Sequence, residues 1–206
     1  MLRVGPHRWL LVVTTLAALA VGPAHAESWT IHGLTFSDEM GGFTINGVSG
    51  SGSLADPITV LEEITSTTGV VLVIRGLGPH SGNPIPTAHP AGFAIRKIAI
   101  DATSRAWTFY DIELQKVFGT PSDLYDGLSF GQMSQAGRPF VSDGFAQSAV
   151  FEEPRDALSF FDGVIEPGQA VAMTFVITAT GQVPEFFLLQ RPNRPIAMLP
   201  NAGQGG

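Results

Sequence analysis

The sequence predicts an all-β protein, a two-sheet antiparallel β-sandwich of jelly-roll or immunoglobulin-like type, behind a cleaved leader. Three observations predict it. Glycine (24) and proline (15) are dense in the 206 residues and cut the chain into short segments. Those segments are rich in Val, Ile, Thr and Phe, the side chains that suit a pleated, half-buried surface. Beyond residue 26 no stretch sustains a helical period, so the crossover helices of a βαβ architecture are missing.

The leader comes first. Arg3 and Arg8 precede an apolar run from Trp9 through Val21, and Ala24-His25-Ala26 supplies small residues at both positions that a signal peptidase recognises. The run is uncharged but shorter than the roughly 20 residues of a membrane-spanning helix. Residues 1–26 are therefore expected to be a secretory signal peptide, and the mature chain to begin at Glu27 in a periplasm or outside the cell. No comparable run follows, so no membrane span is expected in the mature chain. Residues 27–190 are expected to form one sandwich domain, and the Pro/Asn/Gly-rich residues 191–206 a flexible tail.

Within the domain, strands are expected at Phe43 to Val48, Ile58 to Ile64, Val70 to Arg75, Phe93 to Ile100, Arg105 to Val117, Ala170 to Thr178 and Phe186 to Gln190. Val70 to Ile74 is apolar on both faces and should lie centrally, whereas Ile58 to Glu63 ends in acids expected to face solvent. Ala170 to Thr178 alternates most clearly, with Val171, Met173, Phe175 and Ile177 on one face. Its entry, Glu166-Pro167-Gly168-Gln169, has proline and glycine where a turn needs them. Asp126-Gly127-Leu128-Ser129-Phe130 and Asp156-Ala157-Leu158-Ser159-Phe160 are similar turn-to-strand entries, with Leu and Phe directed at the core. Gly50-Ser51-Gly52-Ser53 is a hairpin connection. Two longer loops, Gly76 to Pro90 and Gly131 to Gly144 (with Gln132, Gln135, Arg138 and Asp143), resemble functional loops more than connectors.

Composition excludes several classes of function. There is no cysteine, hence no disulfide, thiolate metal site or cysteine nucleophile. Loss of Arg3 and Arg8 with the leader takes the formal net charge from −7 to −9, so nucleic acid is not an expected partner. No nucleophile elbow or phosphate loop occurs, and no cofactor is expected.

The candidate ligand-binding residues are Trp107, Phe109, Glu113, His80 and His89. Strict alternation places Trp107 and Phe109 on one strand face with Asp111, Glu113 and Gln115, a platform on which rings could cover sugar C–H surface while polar groups bond hydroxyls. A β-bulge near Phe109 would return both rings to the core, the commoner place for large aromatics. His80 and His89 share a proline-stiffened loop and could hold a transition metal if His32 or an acid converged. Asp38-Glu39, Asp123 with Asp126, and Glu152-Glu153 with Asp156 could offer oxygens to Ca²⁺, although none reproduces a calcium loop.

These features point to an exported, non-enzymatic sandwich that binds a carbohydrate or an envelope partner. A structural protein self-associating through a sheet edge or its tail is the alternative. An extracellular hydrolase using paired acids is a third reading.

Overall fold

The structure is a computed structural model describing residues 26–85, 87–123, 125–131 and 140–194. Most of the expected leader, most of the expected tail, and Gln132, Gln135 and Arg138 lie outside the described residues. Thirteen strands are formed among the described residues: β1 (Ser28–Ile31), β2 (Leu34–Ser37), β3 (Phe43–Ser49), β4 (Ile58–Ile64), β5 (Val70–Leu77), β6 (Ala91–Asp101), β7 (Trp107–Gln115), β8 (Leu128–Ser129), β9 (Val141–Ser142), β10 (Gln147–Phe151), β11 (Ala157–Ile165), β12 (Ala170–Ala179) and β13 (Val183–Pro192). They pair as two sheets, β1-β2-β5-β13-β7-β11-β10 and β3-β4-β6-β12-β8, with β9 also on β12. No helix among the described residues is long and apolar enough to cross a membrane.

Alternation decides which side chains fill the space between the sheets. From the six-stranded sheet come Ile58, Val60 and Ile64 of β4, Phe93 and Ile95 of β6, and Val171, Met173, Phe175 and Ile177 of β12. From the seven-stranded sheet come Leu72 and Ile74 of β5, Tyr110, Ile112 and Leu114 of β7, Leu158 and Phe160 of β11, and Phe186 and Leu188 of β13. An edge-to-face ring pair joins the two layers, Phe36 of β2 with Phe93 of β6 at 6.2 Å between centroids, and a second, Phe130 with Phe175 at 5.6 Å, lies within the six-stranded sheet where β8 meets β12. The turn before β12 forms as its residues require: Gln169 N–H donates to the Glu166 carbonyl at 2.9 Å, and Gly168 takes φ 84°.

Two expectations are corrected. The sandwich is not wholly antiparallel, because β4 and β6 pair in parallel from Ile58 opposite Ile95 to Ile64 opposite Asp101. The chain leaves the six-stranded sheet after β4, runs along the other sheet as β5, and returns as β6 in the original direction. A parallel pair needs such a long connection, and here a strand of the opposite layer supplies it. The second correction concerns Glu62. Glu63 is exposed as expected, but Glu62 shares the inward parity of Ile58, Val60 and Ile64 and is fully buried. At the other end of the domain, β13 continues past Gln190 to Pro192, and Asn193 Oδ1 accepts the Thr108 N–H at 2.8 Å.

Candidate functional site

The structure distributes the five candidate residues over three separate environments. Phe109 and Glu113 belong to the outer face of the seven-stranded sheet, Trp107 to the core, and the His80 to His89 loop to the outer face of the opposite sheet. Ile85, inside that loop, packs against Ala94 and Val176, which point away from the main core. The five therefore do not converge on one ligand.

Trp107 is 1% exposed and meets Tyr110 edge to face at 5.4 Å. This corrects the platform expectation for Trp107, and the physical cause lies in the neighbouring strand. Pairing runs from Phe161 opposite Phe109 to Ile165 opposite Trp107, so β11 carries extra residues at 162–164. Asp162 there adopts φ 63°. A bulge of this kind increases local twist, and the β7 backbone facing it turns the indole into the core beside Ile165. The bulge that matters is in β11 rather than at Phe109.

Glu113 keeps its expected side of β7 but is 2% exposed. Gln115 Nε2 donates to its Oε1 at 2.7 Å and Arg155 Nη1 to its Oε2 at 2.9 Å. Gln115 Oε1 in turn accepts the Gly119 N–H at 2.8 Å, which folds the segment after β7 over this end of the sheet, where Phe118 packs edge to face on Phe187. Both carboxylate oxygens are thus committed to the protein's own donors. Glu113 organises a loop rather than presenting a free acceptor.

The part of this face left open lies at the other end of β7 and β11. Phe161 is directly opposite Phe109 in register, on the side away from the buried Tyr110 and Phe160 pair. Phe161 is 39% exposed and Phe109 half-buried. Gln147 of β10 extends the same row, and the next row holds Ser159 and Asp111, joined by a Ser159 Oγ–H to Asp111 Oδ1 hydrogen bond. Phe161 was missed because the sequence of β11 beyond Phe160 offers no clear alternation across its bulge.

His80 is exposed, and His89 is half-buried with its Nδ1 enclosed and without a hydrogen-bond partner. Burial pushes the His89 imidazole below its ordinary value. Asn83 orders the loop, its Nδ2 donating to the His89 carbonyl at 2.6 Å. Among the described residues no three His, Cys, Asp or Glu side chains are grouped to hold a metal ion. The turn of Asp123 and Asp126 uses its carboxylates locally: Asp123 Oδ1 accepts the Tyr125 and Asp126 N–H groups, and Asp126 Oδ1 accepts that of Leu128. Asp38 and Glu39 are likewise engaged, by backbone N–H groups and by Arg75 respectively.

A different polar group lies inside the sandwich. Lys97 of β6 and Glu62 of β4, both fully buried, form an ion pair between Nζ and Oε1. Gln190 of β13 donates from Nε2 to Glu62 Oε2 at 3.1 Å, and Tyr110 of β7 donates from Oη to Gln190 Oε1 at 2.6 Å. Four side chains on four strands thus link the two sheets through the middle of the core. Burial, the largest influence, lowers the Lys97 pKa against the opposing pull of Glu62; it raises that of Tyr110 well above the ordinary phenol value. The sequence signal was available: Glu62 and Lys97 occupy inward parity in otherwise apolar alternation, Ile58/Val60/Ile64 and Phe93/Ile95/Ala99. No protein-family model, curated protein or solved structure matches this chain.

Proposed function

We propose that the chain is an exported, non-enzymatic binding module that takes a carbohydrate on the outer face of its seven-stranded sheet. The observation that carries this reading is the registered pair Phe109 and Phe161, two rings on the solvent side of adjacent strands. Aromatic faces bury the C–H surface of a pyranose, and Gln147 in the same row and Ser159 in the next supply hydrogen-bonding groups for hydroxyls, with the buried Asp111 holding Ser159 in place. The sugar platform is therefore assigned to Phe109 with Phe161, in place of Trp107. Affinity electrophoresis of the mature chain through gels containing extracellular polysaccharides tests it. Retardation by at least one polysaccharide, abolished in Phe161→Ala with the melting temperature unchanged, is the expected result. Free migration in every gel, or retardation that survives Phe109→Ala/Phe161→Ala, rejects the assignment.

One further observation favours self-association as a second reading. Strand β10 ends the seven-stranded sheet, and its sequence Gln-Ser-Ala-Val-Phe has neither the charge nor the proline with which edge strands usually discourage pairing. Strand addition at β10 predicts concentration-dependent mass that Ala149→Pro removes. A constant monomer mass across concentrations rejects it.

A further inference from the structure

We propose that Lys97 and Gln190 join through an autocatalytic isopeptide bond, with Glu62 carrying the protons and Tyr110 holding the amide oxygen. As an ion pair alone the group is poorly explained, since desolvating two charges offsets much of their attraction and a well-packed apolar pair would serve stability as well. As a reaction centre every member has a task. Lys97 is the nucleophile, and its burial favours the neutral amine that such a step needs. Gln190 supplies the electrophilic carbon Cδ. Tyr110 Oη, already donating to Oε1 at 2.6 Å, sits where negative charge develops as Cδ becomes tetrahedral.

Glu62 is placed between the two reacting nitrogens. Its Oε1 faces Lys97 Nζ and its Oε2 accepts from Gln190 Nε2, so amine and amide meet across a single carboxylate. The proton of the ion pair passes from Nζ to Glu62, and the neutral Nζ attacks Cδ. As the Cδ–Nε2 bond breaks, Glu62 gives its proton to Nε2, which leaves as ammonia. It then takes one proton from the newly acylated Nζ. One C–N bond forms, one breaks, no electrons change hands, and no co-reactant is required. The fold holds the partners in one enclosed arrangement, which replaces a bimolecular encounter by an internal one.

The electrophile is Gln190 rather than Glu62 because Tyr110 polarises the Gln190 carbonyl, whereas both Glu62 oxygens are occupied as the bridge. The product would tie β6 of one sheet to β13 of the other. It would give this cysteine-free chain the constraint on unfolding that a disulfide gives elsewhere.

Intact-mass measurement of the folded, purified mature chain, followed by tryptic mapping with tandem fragmentation, decides the matter. The expected chain is lighter than its sequence by one ammonia, escapes cleavage after Lys97, and yields a branched peptide joining Lys97 to Gln190. Glu62→Gln, which preserves shape but removes the proton carrier, should restore the full sequence mass in a chain that still folds. The wild-type result stands by itself if that variant fails to fold. Full mass in the folded wild-type chain, or loss of one water with Lys97 joined to Glu62, overturns the proposal. Mapping also separates the cross-link from cyclisation of an N-terminal Glu27.

Discussion

The backbone nitrogen of Glu27 donates to Asp38 Oδ1 at 2.7 Å, and the other oxygen of that carboxylate accepts the Ile45 N–H at 3.0 Å. Asp38, mostly buried, therefore pins the residue before β1 to the start of β3. Were the leader cleaved after Ala26, this nitrogen would become a positively charged α-amino group on a buried carboxylate. Charge-assisted bonds are worth more than neutral ones. A chain beginning at Glu27 is thus expected to be more stable than one retaining residues before it, by about 1–3 kcal/mol. Asp38→Asn should erase the difference. Urea unfolding of both forms, with and without the substitution, checks it; equal stability of the two parent forms contradicts the expectation.

Trp107→Ala should destabilise the fold by about 3–5 kcal/mol, the range for removing a large aromatic from a packed core. The indole is almost fully enclosed, and its loss also removes the edge-to-face contact with Tyr110. Thermal or denaturant unfolding measures the loss. A cost below about 1 kcal/mol would mean that the indole is solvated, and would reinstate it as a surface group.

Strands that keep one apolar face were legible in the sequence. Ile58–Ile64 matches its expected bounds, and Ala170–Ala179 exceeds them by one residue, because Ile58, Val60 and Ile64 in the one and Val171, Met173, Phe175 and Ile177 in the other recur at the period of a strand. The hairpin of β1 and β2 was not found. Its tight turn uses His32 and Gly33 at φ 49° and 77°, and flanking strands of four residues are too short to establish a period. The candidate site was less legible for a different reason. Alternation correctly set Phe109, Asp111, Glu113 and Gln115 on one face, but the bulge that turns Trp107 inward belongs to β11 and is invisible in the sequence of β7. Glu113 carried no mark of burial either, because its cover, Arg155, is 42 residues away in the chain.

Glu113 and Arg155 provide a third prediction. Arg155→Ala would remove the donor to Oε2 and leave a nearly enclosed carboxylate with Gln115 as its remaining partner. Leaving such an acceptor unsatisfied costs about 1–3 kcal/mol. Glu113→Gln in the same chain should recover part of that cost, because a neutral amide is cheaper to bury unpaired than a carboxylate. A double-mutant cycle by denaturant unfolding reads the coupling. Strictly additive losses would mean that Arg155 stabilises the fold through other contacts.

Acid should weaken the fold in two separable steps. Burial holds His89 below its ordinary 6.5, so below 6.5 the unfolded chain binds a proton that the folded chain resists. That contribution is complete above 6.5 and declines as pH falls beneath it. Glu39 acts lower on the scale. The Arg75 guanidinium donates to both its oxygens, at 2.8 and 2.7 Å, and lowers its pKa from 4.5 to about 2. The pair's contribution is present above 4.5 and lost as pH falls toward 2. Both side chains are 37% exposed, so solvent screening limits this step to about 1 kcal/mol. Unfolding free energy measured across the acid range should lose the upper step in His89→Gln and the lower one in Glu39→Gln. If each variant instead tracks the parent curve throughout, neither group is linked to folding, and the enclosure of His89 and the clasp of Arg75 on Glu39 do not persist in solution.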